Sequence, residues 1–526
     1  MQICSCASRP PARELLWEVE MSRPSNSAMR ATLHATAHAT AVHATAPHVP
    51  EAAGASCRVP LRPAARAITI TAAALLAAAF STATAQDAEA TIGLTVALDT
   101  LWVLVAGVLV FFMQAGFALV EAGFHAAKNV VNILMKNSAD IMIAAVAFWA
   151  VGFALMFGDG NAFTGLSGFF LAGADTSPAT GDAYQGVFAS LDWTGIPLYA
   201  KFFFQMVFAG TAATIVSGAI GGRARFGVYL AFAAVLTAFL YPVLGHWVWG
   251  GGWLARLGFV DFAGSTVVHA VGGFAALGAV LVLGPRIGRY VGGKPVAMPG
   301  HNMTFAALGV FILWLGWYGF NAGSTMGIAS DPGLVAHIVL TTTMAAAAGG
   351  ATALLLSWVR HHKPDFSLTV NGVLGGLVAI TAPTAFVGPL AALGIGMIGG
   401  AIVVGAIVLL DRLRIDDPVG AIAVHGLAGV WGTIAVGLFG RPELGIDGLL
   451  ATGSTAQLGV QLFGTLVVSG VAFAASYGAW RLLDAIVGVR VAPRDELVGL
   501  DVSEHGTEAY VPADTLRDPI FVGAGD

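Results

Sequence analysis

Residues 261–269 read D-F-A-G-S-T-V-V-H, and residues 417–425 read D-P-V-G-A-I-A-V-H. In each stretch a carboxylate, Asp261 or Asp417, precedes a histidine, His269 or His425, by eight positions. Each histidine lies in an apolar run, and the first continues A-V-G-G-F-A-A-L-G-A-V-L-V-L-G to Gly284. About 20 apolar residues cover the hydrocarbon core of a bilayer. An ionisable ring inside such a segment is costly and marks a functional position by default. At about 1.5 Å per residue, each histidine lies about 12 Å along its helix, near mid-membrane. Two such helices entering from opposite faces bring their imidazoles together near the centre, as inverted-repeat membrane proteins do when they build a midplane site.

The rest of the chain supports a membrane reading. Of its 526 residues 57% are hydrophobic and only 10% charged, against about 25% charged in a soluble domain. The fold expected is an all-α polytopic membrane protein. A net charge of −5 argues against nucleic acid as a partner. The 68 glycines suit close contact between helices in lipid, where small residues let backbones approach. The cysteines are Cys4, Cys6 and Cys57, so disulfides and cysteine-based metal sites are excluded from the main body. No metal site or cofactor is implied. No G-x-x-x-x-G-K-[ST] occurs, so ATP is not the expected driving force. No nucleophile–base motif stands out, and an enzyme is not expected.

Residues 1–57 are low in complexity and read as a leader or a mis-assigned start. Residues 58–85 read as a signal peptide: Arg58, Arg62 and Arg66 form a basic region, Ala67–Phe80 an apolar one, and Ala83-Thr84-Ala85 a cleavage site before Gln86. The competing reading is a first membrane helix, for which the apolar region is short. Cleavage places the mature N-terminus outside the cytoplasm. From 86 to 487 the hydropathy pattern gives eleven spans, near 97–122, 132–158, 198–221, 226–247, 262–284, 302–321, 333–358, 368–386, 388–410, 419–439 and 456–487. With that orientation the inner loops carry Lys128, Lys136, Arg223, Arg225, Arg286, Arg289, Lys294, Arg360, Lys363, Arg412 and Arg414, and the outer loops only Arg256 and Arg441. The positive-inside rule supports the assignment. An odd number of spans leaves the tail, 488–526, in the cytoplasm.

This topology places Asp261 at the outer start of span five and Asp417 at the inner start of span ten. Spans one to five and six to ten can then be two inverted five-helix repeats, with span eleven added. Both aspartates suit helix N-caps, and Pro418 suits the first helical position. For Asp417 capping is the preferred reading; for Asp261 capping and function coincide.

Four motifs, D-F-A-G-S-T-V-V-H, W-Y-G-F-N-A-G-S (317–324), H-W-V-W-G-G-G (246–252) and V-H-G (424–426), resemble the ammonium transporter family, in its Amt/methylammonium permease branch of the Amt/Rh superfamily. The resemblance runs from about residue 97 to 510. It implies eleven helices, a homotrimer with one path per subunit in the cell (inner) membrane, and ammonium, with methylammonium as an analogue, as substrate. It assigns Phe208, Trp249 and Ser324, with Phe204 nearby, to an outer recruitment site. It assigns Phe208 and Phe320 to a stacked gate. It places His269 and His425 in the pore lining, with Trp317 packed against them.

The residue chemistry agrees. Ammonium carries N–H donors on every side and no acceptor. It is held by aromatic faces, worth about 2 kcal/mol when desolvated, and by a hydroxyl oxygen such as that of Ser324. Potassium is close to ammonium in size, so selection rests on acidity: ammonium can release a proton and cross as ammonia. Paired imidazoles share one N–H and offer the other nitrogens to ammonia or a proton. Asp261 is expected to shape the outer site and orient backbone carbonyls, without direct contact to the cation. Net electrogenic transfer is adopted from the bacterial Amt members.

The alternatives are an ammonium sensor and a neutral ammonia channel of Rh type; Rh proteins generally lack the tryptophan and serine kept here as Trp249 and Ser324. Two departures from the family pattern are F-H-A-A-K-N (124–129), where an arginine is usual, and Ala382-Pro383 after Thr381. Residues 496–510, E-L-V-G-L-D-V-S-E-H-G-T-E-A-Y, resemble the regulatory segment to which PII-type proteins relate at the cytoplasmic face. Residues 511–526 extend past that motif.

Overall fold

The computed structural model describes residues 63–510, with side chains from Thr91 onward. The chain divides into two units, Met1–Ala78 and Ala79–Asp526. Of the first, only the helical backbone of 63–78 is described. The leader reading of 1–57 and the cysteines lie outside the described residues.

Ten helical spans of the second unit are long and apolar enough to cross a membrane. They are α1 (Thr91–Phe124), α2 (Ala127–Phe157), α3 (Leu198–Ile220), α4 (Phe226–Arg256), α5 (Ser265–Leu283), α6 (Met303–Gly323), α7 (Pro332–His361), α9 (Pro389–Arg412), α10 (Ile422–Phe439) and α11 (Ala456–Val487). The shorter apolar helix α8, Phe366–Thr381, completes eleven. The expected span near 368–386 therefore ends early. Pro383 has no N–H to extend the helix, and the chain turns at 382–386, where the amide of Ala382 donates to Ser265 Oγ at 2.7 Å. The only strands among the described residues are β1 (Tyr290–Val291) and β2 (Lys294–Pro295), a hairpin between α5 and α6.

Lys136 corrects the loop count. It was expected in a loop, yet it lies in the helix and is fully buried. The loop bias survives with ten cations on that side.

Glycine sets the helix spacing. A side chain at Gly376 or Gly396 would come within 2.2 Å of the Ala345 carbonyl, and one at Gly400 within 2.2 Å of the Gly349 carbonyl. Helices α7, α8 and α9 thus touch backbone to backbone. The same device operates at the centre, where a Cβ on Gly273 in α5 would lie 2.2 Å from the Gly426 amide in α10. Each of these glycines stands a short step along its helix from a histidine, so the crossing brings His269 and His425 together.

Beyond α11 the tail folds back as α12 (Pro493–Val498) and α13 (Leu500–His505). Lys128 Nζ donates to the carbonyls of Glu496 at 2.7 Å and Leu497 at 2.6 Å. The Glu504 carboxylate accepts the Phe226 N–H at 3.0 Å and so caps α4. It also accepts from Asn132 Nδ2 at 2.9 Å.

Candidate functional site

Both histidine segments start in the same way. Asp261 Oδ1 accepts the N–H groups of Gly264 and Ser265, at 2.9 Å each, and Oδ2 those of Thr266 at 2.8 Å and Val267 at 2.9 Å. Asp417 Oδ1 accepts from Gly420 and Ala421, at 3.0 Å each, and Oδ2 from Ile422 at 2.7 Å. The third residue after each aspartate is a glycine with positive φ, +113° at Gly264 and +81° at Gly420, a conformation that L side chains rarely adopt. The shared pattern is therefore D-x-x-G-x-x-x-x-H. Its glycine stands in the sequence at the same offset in both stretches.

This turn corrects the depth estimate. The residues from aspartate to glycine are not helical, so each histidine stands only one turn or so into its helix, less than the 12 Å of a continuous helix. Both segments then run through a π-helical turn, Ser265–Ala270 and Ile422–Leu427, that contains the histidine. Such turns are frequent at functional sites.

The two imidazoles face each other, with His269 Nδ1 and His425 Nδ1 3.2 Å apart and ring centroids separated by 5.2 Å. One Nδ1 carries the shared proton and the other accepts it. The Nε2 atoms are left to the lining, and His269 Nε2 is buried with no protein partner. Trp317 stacks on His269 at 5.1 Å and donates its indole N–H to Thr381 Oγ1 at 2.9 Å. Phe320 also stacks on His269, at 5.3 Å, and lies 5.8 Å from Trp317 and 4.0 Å from Phe208. Phe117 closes the far end, 5.9 Å from His425. The buried centre is thus a file of rings from Trp249 through Phe208, Phe320 and the histidines to Phe117.

Above the phenylalanine pair lies a cavity of about 210 Å³ lined by Phe204, Phe208, Trp249 and Ser324, the four residues expected at the recruitment site. Ser324 Oγ donates to the Phe320 carbonyl at 2.8 Å, which leaves its lone pairs for a donor in the cavity. Trp249 Nε1 donates to the Asp261 carbonyl at 2.7 Å. The Asp261 carboxylate gathers four amides, which fixes the carbonyls of the same peptide planes, and its own carbonyl holds the indole. Burial pushes the Asp261 carboxyl up from its ordinary value, and the amide bonds oppose this.

Seven further residues line this cavity, and two of them carry polar side-chain atoms that the sequence did not single out. Gln205 lines it with its Oε1 buried and without a partner, and Trp193 joins from the loop before α3. Gln205 stands between Phe204 and Met206 in a run that reads as helix, so only the fold distinguishes its direction.

On the far side of the histidines is a cavity of about 20 Å³ bounded by His425, Phe117, Glu121 and Val419, room for about one water. Val419, Gly420 and Asn371 also line a larger vestibule of about 560 Å³ on the tail side, with Asp417, Arg286 and Arg289 at its wall. There Arg286 Nε pairs with Asp416 at 2.8 Å. Burial alone would raise the Asp416 carboxyl, but the Arg286 hydrogen bonds and the Arg223 charge hold it well below the carboxylate range. Among the described residues no cluster of three or more metal-ligating side chains occurs.

The geometry can hold a small desolvated cation on aromatic faces beside oxygen acceptors, and can pass a neutral molecule along a narrow histidine-lined centre. Known proteins agree. The chain is 46% identical over 435 residues to the ammonium transporter Amt2 of Archaeoglobus fulgidus, covering 78% of this chain and 88% of the relative. It is 39% identical to Amt2 of Methanocaldococcus jannaschii, over 80% and 93% of the two chains. Among solved structures, a protein titled Sensor Amt Protein aligns with a TM-score of 0.71 at 38% identity, over 78% and 99% of the chains. Mep2 of Candida albicans aligns with a TM-score of 0.68 at 29% identity, over 76% and 87%. A model described as Ammonium Transporter Family matches residues 101–510, and the chain belongs to that family of membrane transport proteins.

Proposed function

We propose that the chain carries ammonium into the cell by splitting it. Ammonium docks at Phe208, Trp249 and Ser324, with Phe204 and Gln205 beside it, and releases a proton near the Phe208–Phe320 stack. Ammonia then passes the His269–His425 pair, and the proton follows separately, giving net electrogenic transfer. The observation that carries this reading is the histidine pair, 3.2 Å apart and shut between stacked rings on one side and a cavity of about 20 Å³ on the other. A hydrated ion does not fit there. A dehydrated potassium ion would meet aromatic edges and imidazole nitrogens in place of its water shell, whereas ammonia needs one donor and one acceptor.

The orientation follows the loop charges: the Trp249 cavity faces outward, and the tail and the larger vestibule face the cytoplasm. A cleaved signal at 58–85, insertion in the inner membrane, assembly as a homotrimer and binding of a PII-type protein over the docked tail belong to the same proposal. The Sensor Amt Protein neighbour favours a second reading, in which occupancy is signalled more than transported. Ammonium pulses on purified protein in liposomes on a solid-supported membrane separate the readings. A current with ammonium and none with potassium is expected. Luminal alkalinisation without current would mean neutral ammonia passage, and binding without either signal would support the sensor.

A further inference from the structure

Glu121 is a carboxylate inside the span α1 that the scheme above leaves unused. It is 2% exposed and lines the same small cavity as His425. Asn137 Nδ2 donates to its Oε2 at 3.0 Å, Ser217 Oγ to Oε2 at 2.8 Å, and Thr214 Oγ1 to Oε1 at 3.3 Å. It takes part in no ion pair within 4.0 Å among those found in the described residues. The charged and titratable groups around it are Lys136 and Asp140 on α2, Tyr229 on α4, His425 on α10 and His125, whose Nδ1 lies 2.8 Å from the Glu121 carbonyl. Of these, Tyr229 is bonded to Asp140, while Lys136 Nζ and Asp140 Oδ2 are buried without hydrogen-bond partners.

The donors distinguish Glu121 from Asp261. Asp261 is held by backbone N–H groups, which can only donate, so its cap needs the ionised form. Two of the three donors to Glu121 are hydroxyls, which can rotate and accept. Glu121 can therefore hold a proton on Oε1, donating to Thr214 Oγ1, whose own hydroxyl then donates to Asn137 Oδ1 at 2.8 Å, so no buried polar atom is left unpaired. Glu121 borders a space for about one water that meets His425 at one end and shares Val419, Gly420 and Asn371 with the tail-side vestibule at the other.

We propose that Glu121 is the proton-carrying group at the exit of the path: it accepts, through one water, the proton leaving His425 Nε2, and releases it to water in the tail-side vestibule. The imidazole returns to neutral, the carboxylate becomes a carboxylic acid and then a carboxylate again, and ammonia leaves by the same vestibule to be reprotonated there. This inference rests on the electrogenic reading above.

The test compares Glu121→Gln and Glu121→Asp with the unaltered protein in liposomes, recording ammonium-evoked current and luminal pH together. Glutamine keeps the size and an acceptor oxygen but has no titratable proton; aspartate keeps the acid. Expected are a fall in current of about tenfold or more in E121Q, with luminal alkalinisation now accompanying the ammonium pulse, and recovery to within about fivefold in E121D. Current in E121Q within twofold of the unaltered protein overturns the inference and leaves the electrogenic reading intact. So does loss of both current and ammonia entry in both variants, which makes Glu121 a packing residue. Absence of current in the unaltered protein overturns the electrogenic reading, and the inference falls with it.

Discussion

The Asp261–His269 and Asp417–His425 segments share a cap, a glycine turn and a buried histidine, but their surroundings differ. Asp261 is closed over by four amides, and its carbonyl anchors Trp249. Asp417 holds three amides and borders a vestibule walled by arginines. One copy of the motif has become part of an aromatic cation site, while the other opens onto water. The lesson is that an internal repeat fixes the scaffold, here the meeting of two imidazoles, while the residues around each cap decide which end captures and which releases.

Removing the caps breaks this comparison most strongly. Asp261→Ala strands four buried N–H groups, each costing about 1–3 kcal/mol, and loosens Trp249. A loss of about 4 kcal/mol or more is expected in thermal unfolding of the detergent-solubilised protein, together with loss of transport. Asp417→Ala strands three donors beside a wet vestibule, and about 1–2 kcal/mol is expected. Equal losses would mean that the caps do not differ as their surroundings do.

The next effect is confined to the Trp249 side. Trp249→Leu removes an aromatic face worth about 2 kcal/mol, so the ammonium concentration for half-maximal current should rise about tenfold to thirtyfold. Ser324→Ala and Gln205→Ala each remove one oxygen acceptor, and about a fivefold rise is expected from either. A change in maximal current at unchanged half-saturation would place these residues elsewhere on the path.

The smallest effect is on the tail side. The Asp416 carboxyl is held low, so the stability it contributes is complete above its unfolded value and is lost as pH falls through and below about 4. Arg286→Ala should lower the unfolding temperature equally at pH 8 and pH 6, and the deficit should shrink below about pH 4. A deficit that grows on acidification contradicts the assigned sign.

Much of this was legible in the chain. The eight-residue offset between aspartate and histidine, the apolar runs and the aromatic motifs locate the centre, because hydropathy and helix period are local properties. What was not legible depends on contacts between distant segments. Lys136 reads as a loop cation but lies buried beside Asp140 and Tyr229. Gln205 reads as helix filler but lines the cavity, with its Oε1 buried and without a partner. Glu121 reads as the end of a span, and its partners Asn137, Thr214 and Ser217 come from two other helices. Span eight was overextended because hydropathy continues past Pro383 while the backbone ladder does not.

The measurement that tests the central claim most directly is the ratio of ammonium to potassium current in the unaltered protein and in the His269→Ala/His425→Ala double variant. The account predicts ammonium current with none for potassium in the former, and potassium current with loss of discrimination in the latter, because the space vacated by two imidazoles can admit water and a solvated ion. A double variant that still excludes potassium while passing ammonium current would contradict it and move the selection to the Phe208–Phe320 stack.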